Sequence, residues 1–144
     1  MAGARTFFST SEQTLLVKAI EQAELNTSGE IRLHLANFCL GDPIKAATRV
    51  FKDLRMHQTI ERNGVLIYIA VSSKKMAIVG DVGIHEKLGQ AYWDQMASEL
   101  LRGFRESQKA QVLETCILDL GKRLGEYFPR KGNDRNELSN SISY

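Results

Sequence analysis

Arg62-Asn63-Gly64-Val65-Leu66-Ile67-Tyr68-Ile69-Ala70-Val71 is the stretch that decides the fold. From Val65 onward it has no polar face, and a strand without a polar face is covered on both sides. Val65–Val71 therefore reads as the central strand of a small sheet. Asn63-Gly64 ahead of it has the chemistry of a turn with positive φ. Behind it, Ser72-Ser73-Lys74-Lys75 is a short polar break before Met76-Ala77-Ile78-Val79, the pattern of an antiparallel hairpin. The returning strand closes on Gly80-Asp81-Val82-Gly83-Ile84, which sets a glycine-flanked carboxylate beside the residues that open Val65–Val71.

Upstream, Glu30–Ala36 alternates Ile31, Leu33 and Leu35 against Arg32 and His34, a strand with one face only partly covered. Asp42-Pro43 supplies an N-cap and an N1 proline ahead of Ile44, Ala47, Val50, Phe51 and Leu54 at helical spacing. A helix between two strands makes a β-α-β crossover, so Glu30–Ala36 and Val65–Val71 should run parallel with a right-handed connection. The first helix starts at Ser9-Thr10-Ser11-Glu12, a capping box, and buries Leu16, Ala19, Ile20 and Ala23. After the hairpin, His85–Leu101 carries Leu88, Tyr92, Met96 and Leu100, with Gly103 marking its end. Gln108–Phe128 carries Val112, Leu113, Cys116, Ile117, Leu120 and Leu124 and stops at Pro129. The stripe Trp93, Met96, Leu100 and Phe104 belongs to the core. The expected fold is α/β: a small central mixed sheet of three to four strands sandwiched between four helices.

At 144 residues the chain is long enough for one domain with a proper core and short for two. A hydrophobic fraction of 43% and a charged fraction of 25% are those of an ordinary soluble globule. From Arg130 the chain turns polar, with only Leu138 and Ile142 as apolar anchors. The reading is a single α/β domain over residues 1–130 and a disordered tail over 131–144, whose loss should cost little. The formal charge of +2 comes without a long basic block, so no nucleic acid is expected as partner. Cys39 and Cys116 match no ligand spacing and read as buried thiols, with a disulfide as the alternative. The start, through Phe8, lacks the apolar core of a signal peptide, and no apolar run approaches the roughly 20 residues of a membrane span. A cytoplasmic monomer is expected.

The topology gathers candidate ligands. Parallel strands put Glu30 and Asn63 at one edge of the sheet, and the antiparallel return brings Asp81 to it. Two carboxylates and an amide suit a hard cation, Ca²⁺ or Mg²⁺, and the glycines around Asp81 free backbone carbonyls to turn toward it. So few acids imply weak affinity, of the order of 10⁻⁴–10⁻³ M. The bland alternative is open: Asp81 caps the next helix, Glu30 pairs with Arg62, and Asn63-Gly64 is only a turn. His34, His57 and His85 are not spaced as zinc ligands, and His85 alone falls near the proposed site. No G-x-G-x-x-G, P-loop or G-x-S-x-G motif occurs, and Ser28 has no base fixed beside it in the sequence.

Phe8-Ser9, Thr27-Ser28-Gly29-Glu30-Ile31, Met56-x-x-Thr59-x-x-Arg62-Asn63-Gly64-Val65-Leu66, Gly80-Asp81-Val82-Gly83-Ile84, Trp93 and Phe128-Pro129, in that order, resemble the TPM domain family. That family includes a thylakoid lumen protein of photosystem II repair, an auxiliary protein of nicotinic acetylcholine receptors and many bacterial proteins. The resemblance implies a small sheet between helices. It also implies activities that vary, since some members are described as acid phosphatases and others as binders of divalent cations. Many members are exported or membrane-tethered, whereas this chain shows neither signal nor anchor. Three expectations follow. The first is a soluble domain that binds Ca²⁺ or Mg²⁺ through Glu30, Asn63 and Asp81 and acts as an interaction or repair-associated module for a protein partner that the sequence does not name. The second is a metal-dependent acid phosphatase acting on phosphomonoesters, with Arg62 as clamp and no catalytic nucleophile assigned. The third is a purely structural interaction domain without metal.

Overall fold

A computed structural model describes residues 3–106, 108–131 and 137–144. Helix α1 (Thr10–Glu24) starts at the expected capping box: Glu12 N donates to Ser9 Oγ at 3.1 Å and Ser9 N donates to Glu12 Oε1 at 2.9 Å. Two donors that a helix start leaves orphaned are thereby satisfied. Strand β1 (Glu30–Ala36) leads to α2 (Pro43–Asp53), whose Ile44 N donates to the Asp42 side chain at 2.9 Å. Strands β2 (Gly64–Ala70) and β3 (Lys75–Gly80) form the hairpin, followed by α3 (Val82–Leu88), α4 (Gln90–Arg105) and α5 (Lys109–Tyr127).

The sheet order is β1-β2-β3, with β1 and β2 parallel and β2 and β3 antiparallel. Every residue of β2 is buried, and its two faces serve two cores. Val65, Ile67 and Ile69 point into the larger core with Ile31, Leu33 and Leu35 of β1, Leu16 and Ile20 of α1, Leu100 of α4 and Leu113 and Ile117 of α5. Leu66, Tyr68 and Ala70 point the other way, onto Ala47 and Phe51 of α2. That two-sided demand is why the central strand carries no polar residue. Cys39 and Cys116 are both buried and free.

Three features differ from expectation. The helix expected over His85–Leu101 is two helices, because Gly89 adopts φ +80°, a conformation outside the right-handed helix that glycine reaches without strain. Five helices, not four, result among the described residues. Gly103 does not end α4, which runs on to Arg105; a Cβ there would collide with Val112 of α5, so this glycine serves close helix packing.

The third concerns the tail. Residues 132–136 lie outside the described residues, but 137–144 do not hang free. Leu35 N donates to Ser143 O and Ser143 N to Leu33 O, both at 2.9 Å, so the terminus pairs with the outer side of β1. Leu138 packs on the smaller core and Ile142 on the larger, and the Arg5 guanidinium lies 4.6 Å from the centre of the Tyr144 ring. An unpaired strand edge recruits main chain whatever its side chains are, which an apolar period does not register. Truncation after residue 136 should therefore lower the unfolding free energy by about 1–3 kcal/mol, the sum of two such hydrogen bonds and partial burial of Ile142. Urea denaturation that leaves the midpoint unmoved would show the docking to be idle.

Candidate site at the strand starts

The backbone brings the three sequence-derived residues to one end of the sheet. Glu30 stands opposite Gly64 in the β1–β2 register, and Glu30 N donates to Asn63 O at 3.4 Å. Asp81 N donates to Gly64 O at 2.9 Å, which ties the end of β3 to the same corner. All three side chains are buried: Glu30 is 2%, Asn63 1% and Asp81 5% exposed. Polar groups at such depth need partners, and which of them lack one is informative.

Asp81 has its partners. Its Oδ1 accepts from Val82 N at 2.8 Å, which caps α3. Arg62 grips it with two bonds, Nε to Oδ2 at 2.7 Å and Nη2 to Oδ1 at 2.8 Å. Hydrogen bonding to Asp81 holds the guanidinium above its usual range. The positive φ expected at Asn63-Gly64 falls instead on Arg62, at 52°. Gly83 locks this turn: its N–H donates to Arg62 O at 2.9 Å, and a Cβ there would collide with the Glu61 and Arg62 carbonyls. The alternative pairing of Arg62 with Glu30 is not formed; Asp81 takes that guanidinium.

Glu30 and Asn63 are each half satisfied. Glu30 Oε1 accepts from Glu137 N at 2.6 Å, while Oε2 is buried and, among the described residues, has only the adjacent Glu24 carboxyl to share a proton with. Asn63 Nδ2 donates to Ser28 Oγ at 3.2 Å and Glu61 Oε2 at 3.3 Å, while Oδ1 is buried and has no partner among the described residues. Beside Glu30 stands Glu24, the last residue of α1, whose Oε2 accepts from Ile31 N at 2.8 Å. Burial, above all, pushes the Glu24 carboxyl up to about 8, with the charge of Glu30 adding to it. Burial likewise pushes Glu30 up to about 7, opposed by the bond from the Glu137 backbone. Two buried carboxyls side by side favour holding a proton over carrying two charges.

Glu24 is absent from the sequence-derived set, although a signal existed. It follows Ile20 by four residues, on the face of α1 that Leu16 and Ile20 bury. Glu61 and Ser28 also enter: Ser28 Oγ donates to Glu61 Oε2 at 2.6 Å, and Lys131 Nζ lies 3.2 Å from Glu61 Oε1. His85 accepts from Trp93 Nε1 at 3.0 Å through Nδ1, a packing role. His34 stacks on Tyr68 and bonds Ser143 Oγ at 2.7 Å, far from this corner along β1. Among the described residues, no group of three or more His, Cys, Asp or Glu side chains is disposed to hold a metal ion. Any cation here would therefore depend on the Asn63 oxygen as well as on carboxylates.

A mixed three-stranded sheet between helices, with a buried acid–amide corner at its strand starts, defines a class of α/β domain. The chain matches the TPM domain over residues 4–123, and it belongs to that family. It is similar to the BA42 protein of the psychrophilic bacterium Bizionia argentinensis, solved by NMR. The two share 39% identity over 99% of each chain, with a TM-score of 0.89. It also shares its fold with the N-terminal domain of a P. gingivalis protein, at 12% identity over 89% of this chain and 84% of that one, with a TM-score of 0.70. The N-terminal domain of the cg2496 protein of Corynebacterium glutamicum shares the fold too, at 13% identity over 96% and 81% of the two chains and a TM-score of 0.63. No curated protein matches the chain. No helix among the described residues is long and apolar enough to cross a membrane.

Proposed function

We propose that this TPM domain binds a divalent hard cation, Ca²⁺ or Mg²⁺, at the corner formed by Glu30, Asn63 and Asp81, and that it works as an interaction or repair-associated module. The observation that carries the reading is the buried Asn63 Oδ1, which meets no partner among the described residues, beside a Glu30 carboxyl whose Oε2 has only the neighbouring Glu24 carboxyl to share a proton with. Leaving a buried acceptor unpaired costs about 1–3 kcal/mol, and a cation that takes oxygen ligands removes that cost. Asp81 joins the set by exchange. Arg62 neutralises it in this structure, and the Arg62 side chain is 46% exposed, so the guanidinium can swing out to water when a cation replaces it. The ordering of the corner around the ion would then present the Glu61–Arg62 turn to a partner.

Melting curves in EDTA and in millimolar calcium test this on the wild type, Glu30→Gln and Asp81→Asn. Calcium at about 1 mM should raise the wild-type melting temperature, by the equivalent of about 0.4–1.4 kcal/mol for a Kd of the order of 10⁻³–10⁻⁴ M. Glu30→Gln is the decisive variant: at pH 8 in EDTA it should melt higher than wild type, because a buried charge is gone, yet lose the calcium response. Asp81→Asn should melt lower in EDTA through the lost cap and ion pair, so on its own it does not discriminate. A wild type indifferent to calcium and to magnesium would leave the corner purely structural, as the Arg62–Asp81 pairing by itself suggests.

A second reading, the metal-dependent acid phosphatase acting on phosphomonoesters, draws on one observation. The Ser28 hydroxyl is held by the Glu61 carboxylate at 2.6 Å, which gives it the base that the sequence did not reveal. Against it, Arg62 is committed to Asp81 and free to clamp a phosphoryl group only after release. Turnover of p-nitrophenyl phosphate that survives repurification and is lost in both Ser28→Ala and Asp81→Asn would favour the enzyme.

A further inference from the structure

At the opposite end of the sheet, where β2 ends and β3 begins, the hairpin and helices α4 and α5 border an open cavity of about 520 Å³. That size lies in the range of small-molecule sites, roughly 300–1,000 Å³. Ile69 and Met76 form its buried floor, and the half-buried Phe7, Leu101 and Phe104 form its walls. The mouth is different in kind. Lys74, Lys75, Arg105 and Lys109 all line it, and among the described residues no carboxylate does. Among the described residues none of the four is in an ion pair with an acid. Lys75 Nζ donates to Gly41 O at 2.9 Å, and Lys109 Nζ lies 4.6 Å over the Phe7 ring. Lys74 sits at φ +53° at the tip of the hairpin, where the turn sets its side chain beside the cavity rather than in the sheet.

We infer that this cavity is a binding site for an amphipathic anion: a small molecule with an apolar chain or ring body and one anionic head, of the class of medium-chain carboxylates. The apolar floor and walls would shed water onto the body of such a ligand. Lys74, Arg105 and Lys109, none of them in an ion pair with an acid among the described residues, focus a positive potential on its head, while the Lys75 ammonium is engaged by Gly41 O. A neutral apolar ligand would leave that potential unused, and a polyanion without an apolar body would leave the floor wet. The site is independent of the cation corner: β2 alone separates them by the length of a seven-residue strand, about 20 Å.

The test uses decanoate, below its micelle-forming concentration, and its uncharged counterpart decan-1-ol, each titrated into ¹⁵N-labelled full-length protein followed by NMR. Decanoate should give saturable shifts at Val71, Lys74, Met76, Phe104 and Lys109, weakening as salt rises. Decanol should bind about tenfold more weakly or worse, as should decanoate to the Lys74→Glu/Arg105→Glu double variant, since two surface charges at close range are worth about that factor. Both substitutions fall on exposed side chains, and an unchanged melting temperature verifies that the variant is folded. Absence of saturable shifts at these amides overturns the inference, as does equal binding of decanol or undiminished binding by the variant. Sedimentation with phosphatidylglycerol vesicles, without a response to free decanoate, also overturns it, since the cationic end would then be a bilayer-docking surface.

Discussion

Ile67→Ala is expected to lower the unfolding free energy by about 2–5 kcal/mol, enough to unfold a large fraction of a marginally stable domain. Ile67 is fully buried at the middle of the central strand, opposite Leu33 on one side and Ile78 on the other. Its side chain enters the larger core, where Leu16, Ile20, Leu113 and Ile117 close over it. The truncation forfeits the transfer free energy of three carbons and leaves a cavity that a sheet bonded on both sides cannot collapse to fill. Leu40→Ala is the control, because Leu40 is 90% exposed and should change stability by less than about 0.5 kcal/mol. Urea denaturation of both variants reads the difference directly. A loss below about 1 kcal/mol for Ile67→Ala would mean that β2 is not the centre of the cooperative unit.

The legibility of this fold in its sequence follows from the same strand. Val65–Val71 is legible as the central strand because burial on two faces removes every polar residue, a demand that few other local structures make. The capping box at Ser9 and the Asp42-Pro43 start were equally plain, since each encodes its own hydrogen bonds locally. What the sequence concealed depends on contacts remote in the chain. The break at Gly89 is one, because a lone glycine in a helical pattern is tolerated as often as it interrupts. Gly103 is another; its role is set by Val112 on the next helix, not by its own neighbours. The docked terminus is a third, since Ser143 is held by two main-chain bonds to β1 and by its hydroxyl on His34, contacts more than a hundred residues apart that leave no local pattern. At the corner, topology alone brought Glu30, Asn63 and Asp81 to one end of the sheet. Which acid would be neutralised, and by what, was decided by the backbone turn at Arg62, one residue earlier than the turn chemistry of Asn63-Gly64 suggests.

Stability in EDTA should fall as pH rises from 5 to 8.5, by roughly 2–4 kcal/mol, where many domains hold a plateau. Glu24 and Glu30 carry the effect. Both carboxyls sit above the ordinary value of 4.5, at about 8 and about 7, so the folded state binds their protons more tightly than the unfolded chain does. A folded pKa above the unfolded one gives a contribution that is fully present below pH 4.5 and lost as pH passes through 7 and 8. The two shifts do not add in full, because the carboxyls interact and titrate as a pair. Glu24→Gln/Glu30→Gln should flatten the slope and stabilise the protein at pH 8, since two neutral amides replace charges that burial penalises. Calcium gives the sharper comparison. A cation at Glu30 takes the place of the proton, so it should restore at pH 8 the stability that EDTA exposes as missing, and do little at pH 5 where the proton still holds the site. A slope present in EDTA and untouched by calcium would assign the carboxyl pair to the fold alone. A slope erased by calcium in the wild type, with a calcium response absent from the double variant, would identify the same two buried acids as the reason this corner takes an ion.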